Sequence, residues 1–267
     1  MIEIKRKGSK STKDIPVEIL GQLNRGEIET ANLVEWLAVD QSLLIENVLR
    51  QTERISYLTQ ILTDIGKLKK QTVNTINETI GNGIFNLAVE NNDSELLSII
   101  SNHTSDVVRC WAAYATSKNS QLTLGQLLEH IKHFAADKHF GVREIAWLAI
   151  RQTIATNLRE SIECLSKWTA NKDEYIRRFA CEATRPRGVW CGHIEELKEH
   201  PEKGLSILEP LKADKSKYVR NSVGNWLNDA SKTQPEFVKN VCEKWKTESP
   251  TNETNYIIKK ALRSIEK

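Results

Sequence analysis

Along "NLVEWLAVDQSLLIENVL" (residues 32–49) the apolar positions Leu33, Trp36, Leu37, Leu43, Leu44 and Val48 fall at the three- and four-residue intervals of a helix face. From about Ile19 onward the chain keeps this period, and no run alternates apolar and polar residues as a half-buried strand would. The pattern predicts an all-α protein. Breakers fall at helix ends, as in "NNDSE" at 91–95, where Asp93 or Ser94 is placed to cap a following helix. One apolar block recurs: "SDVVRCWAAYA" at 105, "HFGVREIAWLAI" at 139, "DEYIRRFACEA" at 173 and "SKYVRNSVGNWL" at 216, with a degenerate copy, "TNYIIKKALRSI", at 254. Each enters its helix through a β-branched residue, and the first four follow it with an arginine. Arg109, Arg143 and Arg177 are 34 residues apart. That period fits a helix pair whose apolar face is covered by the next pair, and it predicts an α-solenoid of HEAT-like repeats.

Between Arg177 and Arg220 the spacing rises to 43, so nine residues are added, and they fall around "RPRGVWCGH". Insertions in repeat arrays map to loops, often on the binding face. An insertion holding Trp190, Arg185 and Arg187 is therefore a candidate site. The alternative is that Pro186 and Gly188 only turn the chain while Trp190 fills a gap between helices.

Helical geometry places three acids relative to the buried stripes of their own helices. Glu182 lies roughly 110° from the stripe of Ile176, Phe179, Ala180 and Ala183. Asp229 lies roughly 100° to the same side of Val219, Val223 and Trp226, and Glu144 roughly 140° to that side of Val142, Ile145, Ala146 and Ala149. Stacked repeats present equivalent flanks to one surface, so these acids are candidates to converge. Taken singly, each is also readable as a solvated surface residue, and Arg178 stands where it would form an i,i+4 surface pair with Glu182. The repeat arginines Arg143, Arg177 and Arg220 fall on the opposite flank. They are expected either to pair with acids such as Asp137, Asp173 and Asp214 or to contact phosphate.

Composition changes this picture little. The chain has 267 residues, 39% apolar and 27% charged, and its 38 basic and 35 acidic residues leave a net charge of +3. A nucleic-acid site must then come from local clustering. Residues 1–18 are basic and poor in large apolar side chains, which predicts a mobile tail; 19–267 are expected to form a single domain, with N-terminal helices over 19–100 and the site-bearing repeats over 101–267. Five scattered cysteines without a C-x-x-C pair, no signal-like start and no apolar run of ~20 residues lead us to expect a reducing compartment, the bacterial cytoplasm, and no membrane partner. His130, His133 and His139 lack the neighbours of a zinc site, no phosphate-binding glycine loop occurs, and Cys191 has no base at informative spacing. No metal and no cofactor are expected.

At "RRFACEATRPRGVW", followed by "SKYVRNSVGNWLNDASKTQPEFV", the chain resembles the AlkC branch of the HEAT-like-repeat DNA alkylation repair family. "NLVEWLAVDQ" resembles the family's opening, and the similarity runs over about residues 30–250. The resemblance implies a monomeric, monofunctional DNA glycosylase acting on double-stranded DNA. It would excise cationic N-alkylated bases, 3-methyladenine and in this branch 3-methylcytosine. By position, the acid of the family's S-E-G-x-R-P-R motif corresponds to Glu182, and the tryptophan after R-P-R to Trp190. The aspartate of N-x-L-N-D-x-S-K corresponds to Asp229, and an earlier acid to Glu144. The resemblance thus implies Asp229, Glu182 and Glu144 as catalytic acids and Trp190 as the base-stacking residue. Beside the cleft these would form, Arg185 and Arg187 are placed to contact DNA phosphates, with Lys215, Lys217, Lys232 and the tail's Lys5, Arg6 and Lys7 adding a diffuse basic field. The family's R-P-R-L-P-W reads R-P-R-G-V-W here. The competing reading is a non-catalytic repeat scaffold that binds DNA or protein along its concave face.

Overall fold

A computed structural model describes residues 6–265, and among these every regular element is helical. Two compact units emerge. The first takes in the chain up to Thr123 together with Asp137–Ala149, and the second Leu124–Ala136 together with the chain from Ile150 onward, where a single domain was expected.

The first unit holds α1 (Val17–Asn24), α2 (Leu33–Ala38), α3 (Gln41–Gln51), α4 (Leu58–Gly66), α5 (Val73–Glu90), α6 (Ser94–Ser101) and α7 (Asp106–Ser117). The second holds α8 (Leu124–Ala135). α9 (Phe140–Thr156) begins in the first unit and ends in the second. The second continues with α10 (Leu158–Ser166), α11 (Glu174–Ala183), α12 (Glu195–Glu199), α13 (Leu205–Leu208), α14 (Lys217–Ala230), α15 (Pro235–Glu248) and α16 (Asn252–Leu262). The five recurring blocks are α7, α9, α11, α14 and α16, so the all-α repeat read from the sequence is the architecture found.

Local chemistry sets the helix ends. Asp40, Asp93, Asp173 and Ser216 accept backbone N–H groups in the first turns of α3, α6, α11 and α14. The cap at Asp40 also splits the pattern over residues 32–49 into two helices. Trp36, Leu44 and Val48 are buried, whereas Leu33, Leu37 and Leu43 of the expected apolar face are exposed, because α2 and α3 turn different flanks inward.

Residues 6–18 are not the mobile tail expected of them. Arg6 donates from Nη1 and Nη2 to the two oxygens of Glu35, at 2.6 Å each, and Asn32 Nδ2 donates to Ser9 O at 2.8 Å. Ile15 is buried. The basic composition hid one arginine whose partner is an acid with no exposure at all. Lys5, counted with this basic segment, lies outside the described residues.

The repeat arginines are structural in one consistent way. Arg109 Nη1 donates to the carbonyls of His103 and Thr104, Arg177 Nη1 to those of Asn171 and Lys172, and Arg220 Nη1 to those of Asp214 and Lys215. Arg143 Nη1 donates to the carbonyl of Asp137 at 2.6 Å. Each therefore closes the turn ahead of its own helix, reaching six residues back, and Arg109, Arg177 and Arg220 reach five residues back as well. Arg109 and Arg177 also reach the next repeat, pairing with Asp137 at 2.7 Å and Asp214 at 2.6 Å. Asp173 caps α11 instead.

In the first unit α5 packs on α7 with no room at Gly81, where a Cβ would stand 2.5 Å from the carbonyl oxygen of Trp111 and 2.6 Å from Tyr114 Cβ. Since a backbone oxygen cannot swing aside, Gly81→Ala is expected to destabilise the protein by about 1–3 kcal/mol, read as a lower urea midpoint at unchanged slope.

Candidate active site

α11 ends at Ala183, where Thr184 turns its hydroxyl back onto the carbonyls of Ala180 and Cys181. α14 packs against this end. The fully buried Trp226 donates from Nε1 to Thr184 O at 2.9 Å, which fixes the start of the inserted loop against α14. Glu182, in the last turn of α11, and Asp229, in the last turn of α14, are thereby brought onto one guanidinium.

That guanidinium belongs to Arg185. Its Nη1 lies 2.6 Å from Glu182 Oε1, and Nε and Nη2 lie 2.9 and 2.7 Å from Asp229 Oδ2. Glu182 is only 4% exposed and Asp229 only 3%, so neither is the solvated surface acid that each might singly have been. Glu182 Oε2 accepts from Ser222 Oγ at 2.5 Å and faces Arg178 at 3.7 Å. Arg178 is itself buried and stacks on the Tyr218 ring, 4.3 Å from its centre, where a surface pair was expected. Among the described residues, the hydrogen-bond partner of Asp229 Oδ1 is the exposed Lys232, at 3.3 Å.

Burial pushes the Glu182 carboxyl up, but Arg178, Arg185 and the Ser222 hydroxyl outweigh it and hold the group below its ordinary 4.5. The Arg185 guanidinium is likewise desolvated, and its two acids more than offset this and strengthen its hold on the proton.

The loop after Arg185 is clamped by a residue that the sequence reading overlooked. Arg151, buried in α9, donates from Nη1 to Ala183 O at 2.9 Å, from Nη2 to Arg185 O at 2.6 Å, and from Nε and Nη2 to Gly192 O. Ile194 N closes the loop onto Pro186 O. Nothing in its spacing set Arg151 apart from the repeat arginines; the signal was a cation between Ile150 and Ile154, both of which are buried. Gly188 has a definite reason to be glycine, because a Cβ there would stand 2.2 Å from Cys191 Sγ. Trp190 sits at the tip with φ 63°, in the left-handed region, and is 73% exposed. It therefore does not plug a gap between helices.

The expected DNA contacts divide. Arg185 is enclosed between the acids rather than offered to solvent, and that role is corrected to one of bridging. Lys232 is exposed but paired with Asp229, and Arg187, half-buried, donates from Nε to Asp229 O at 3.3 Å. Glu144 belongs to the first unit, half-exposed, and accepts from Trp147 Nε1 at 3.0 Å.

The profile of a family described as "DNA alkylation repair enzyme" matches residues 112–265, more than half of the chain. The chain belongs to the DNA alkylation repair enzyme family. A stretch of 145 residues, 54% of this chain, is 37% identical to the uncharacterized protein YhaZ of Bacillus subtilis strain 168, but spans only 39% of that relative. Among solved structures, the Pseudomonas fluorescens alkylpurine DNA glycosylase AlkC, bound to DNA containing an abasic site analog, superposes with a TM-score of 0.67 at 23% identity. The match covers 97% of this chain and 66% of AlkC. AlkD2 of Streptococcus mutans superposes at 0.60 and 22% identity, over 78% of this chain and 97% of that one. At such identities these structures share the helical-repeat fold with this member of the DNA alkylation repair family.

Removing the shared cation leaves Glu182 to Arg178 at 3.7 Å and Asp229 to the exposed Lys232 at 3.3 Å, so Arg185→Ala is expected to cost about 3 kcal/mol in urea unfolding at pH 7. Because the folded Glu182 carboxyl is depressed, its contribution to stability is present above about 4.5 and is lost as pH falls through its lower folded value. The gap between wild type and variant should therefore narrow on acidification below that range.

Proposed function

We propose that the chain is a DNA glycosylase of the AlkC branch that hydrolyses the N-glycosidic bond of cationic alkylated bases, with 3-methyladenine and 3-methylcytosine as the substrates to test. The observation that carries this reading is the pair of buried carboxylates, Glu182 and Asp229, bridged by one arginine at the root of a loop with an exposed tryptophan. Membership of the repair family supports it.

A base alkylated on its ring nitrogen already carries positive charge, so departure needs no proton from the enzyme. Charge on the sugar and on the leaving base is what must be stabilised, and fixed carboxylates in a partly dry site do this without reorganising. Asp229 Oδ2 is fixed by Arg185, while Oδ1 pairs with an exposed lysine that the substrate's cation can displace. Asp229 is assigned the oxocarbenium-like sugar and the attacking water. Glu182 is assigned the cationic base and the ordering of water. Trp190 stacks on the extruded base, its contact strengthened by the base's charge. Arg187 is the loop's phosphate contact. Water and DNA are the only reactants this chemistry requires, and we place the protein, as a monomer, in the cytoplasm, where DNA and reduced cysteines coexist.

One observation favours a structural role for the same acids: each is already paired with a cation. Base release from methylated DNA, quantified by chromatography, separates the readings. Wild type should release 3-methyladenine; Asp229→Asn should release it ~10²–10³-fold more slowly with DNA binding retained, and Trp190→Ala should also be slower. Equal release by wild type and Asp229→Asn would remove Asp229 from the chemistry, and no release by a folded, DNA-binding wild type would leave the non-catalytic repeat module.

A further inference from the structure

The inserted loop is wound around a single side chain of α9. The Arg151 guanidinium donates to Ala183 O at 2.9 Å, to Arg185 O at 2.6 Å and to Gly192 O at 3.3 Å. A Cβ added at Gly188 would lie 3.5 and 3.6 Å from its Nη2 and Cζ, and Cys191 Sγ fills the other side of that turn. The loop has little else of its own. Among the described residues no backbone N–H from 187 to 193 meets a backbone carbonyl, and the bond that closes the loop on itself runs from Ile194 N to Pro186 O, at 3.0 Å.

At the tip, Trp190 holds a left-handed backbone that costs a non-glycine residue free energy, and both it and Val189 are exposed. Packing at the tip does not repay that cost, so the conformation is imposed from the root. Arg151 is suited to impose it. It is a buried cation, and among the described residues no carboxylate lies within ion-pair distance of it. Burial weakens its hold on its proton. A cation withdrawn from water needs fixed dipoles in place of hydration, and the three carbonyls supply them, so loop and guanidinium hold each other. The planar fork of arginine fixes several acceptor directions at once, which an ammonium on a flexible stem does not.

We propose that Arg151 is a positioning residue for base excision: its guanidinium is the form over which residues 183–192 are shaped, and it sets where Trp190 stands relative to Glu182 and Asp229. Arg151 touches no reactant and acts through the loop. The inference rests on the reading of Trp190 as the residue that stacks on the damaged base. Its rival is that Arg151 acts through Arg185, whose carbonyl it also holds, and hence through the acids rather than the tryptophan.

The test is single-turnover release of 3-methyladenine from methylated duplex DNA with protein in excess, which separates the maximal rate from the half-saturating concentration. It compares wild type, Arg151→Lys, Trp190→Ala and the double variant, with Arg177→Lys as a control for the loss of a buried structural arginine. Arg151→Lys keeps the charge and loses the fork, and it should lower the maximal rate by on the order of 10–10²-fold at unchanged half-saturation. The double variant should be as slow as Trp190→Ala and no slower, because both changes remove one contribution. Arg177→Lys should lower the melting temperature and leave the maximal rate alone. Losses that multiply in the double variant would overturn the inference in favour of the route through Arg185, and a folded Arg151→Lys with the wild-type rate would overturn it outright. If Arg151→Lys does not fold, Gly188→Ala displaces the same loop with Arg151 intact, since its Cβ meets Cys191 Sγ at 2.2 Å. It should be slow, show the same non-additivity with Trp190→Ala and recover when Cys191→Ala removes the sulfur; a wild-type rate in Gly188→Ala would again overturn the inference. No release by the wild type refutes the glycosylase reading and leaves Arg151 nothing to position, whereas release by the wild type and equally by Arg151→Lys refutes the role of Arg151 alone.

Discussion

Two carboxylates withdrawn from water need a cation beside them, because the effective cost of burying a lone ion is several kcal/mol. Arg185 meets that need for Glu182 and Asp229 together, and much of the second unit exists to hold it there. Its own backbone is fixed by Arg151, its neighbour Thr184 is tied to Trp226, and Trp226 fills the gap against Gly204, where a Cβ would stand 2.4 Å from the indole. Ser222 and Arg178 satisfy the remaining oxygen of Glu182. The packing of α11 on α14 and the placement of charge at their ends are one problem with one solution.

That solution is asymmetric. Glu182 is surrounded on every side by donors, whereas Asp229 keeps one oxygen toward a solvent-exposed lysine. A carboxylate locked in a network stabilises charge by position, and one with a replaceable partner can exchange it for a substrate. The division of labour between the two acids follows from their surroundings rather than from their chemistry.

Helical class, repeat blocks and the interrupted spacing were all legible because they are periodic, and periodicity survives in a bare sequence. Glu182 and Asp229 were legible as neighbours because equivalent flanks of stacked helices face one way. Their burial was not, since a helical wheel carries angle but no depth: the loop and Arg185 cover both. Arg185 itself was read as a phosphate contact because a basic residue beside R-P-R shows its charge and hides its partners. Arg6 and Arg151 escaped for the same reason; each is an ordinary cation in the sequence and becomes exceptional only beside Glu35 or the three loop carbonyls.

The turn-closing arginines have a wider consequence. Arg177 reaches Asp214 across 37 residues as Arg109 reaches Asp137 across 28, yet in both cases the aspartate stands six residues before the next repeat's arginine. Each joint is thus defined by a fixed local offset, and the length of chain between joints is left unconstrained. A repeat array built this way keeps its register when a connecting segment grows. New loops can be grafted between joints without re-engineering the stack, and a fold made for rigidity becomes a rack on which chemistry is varied one segment at a time.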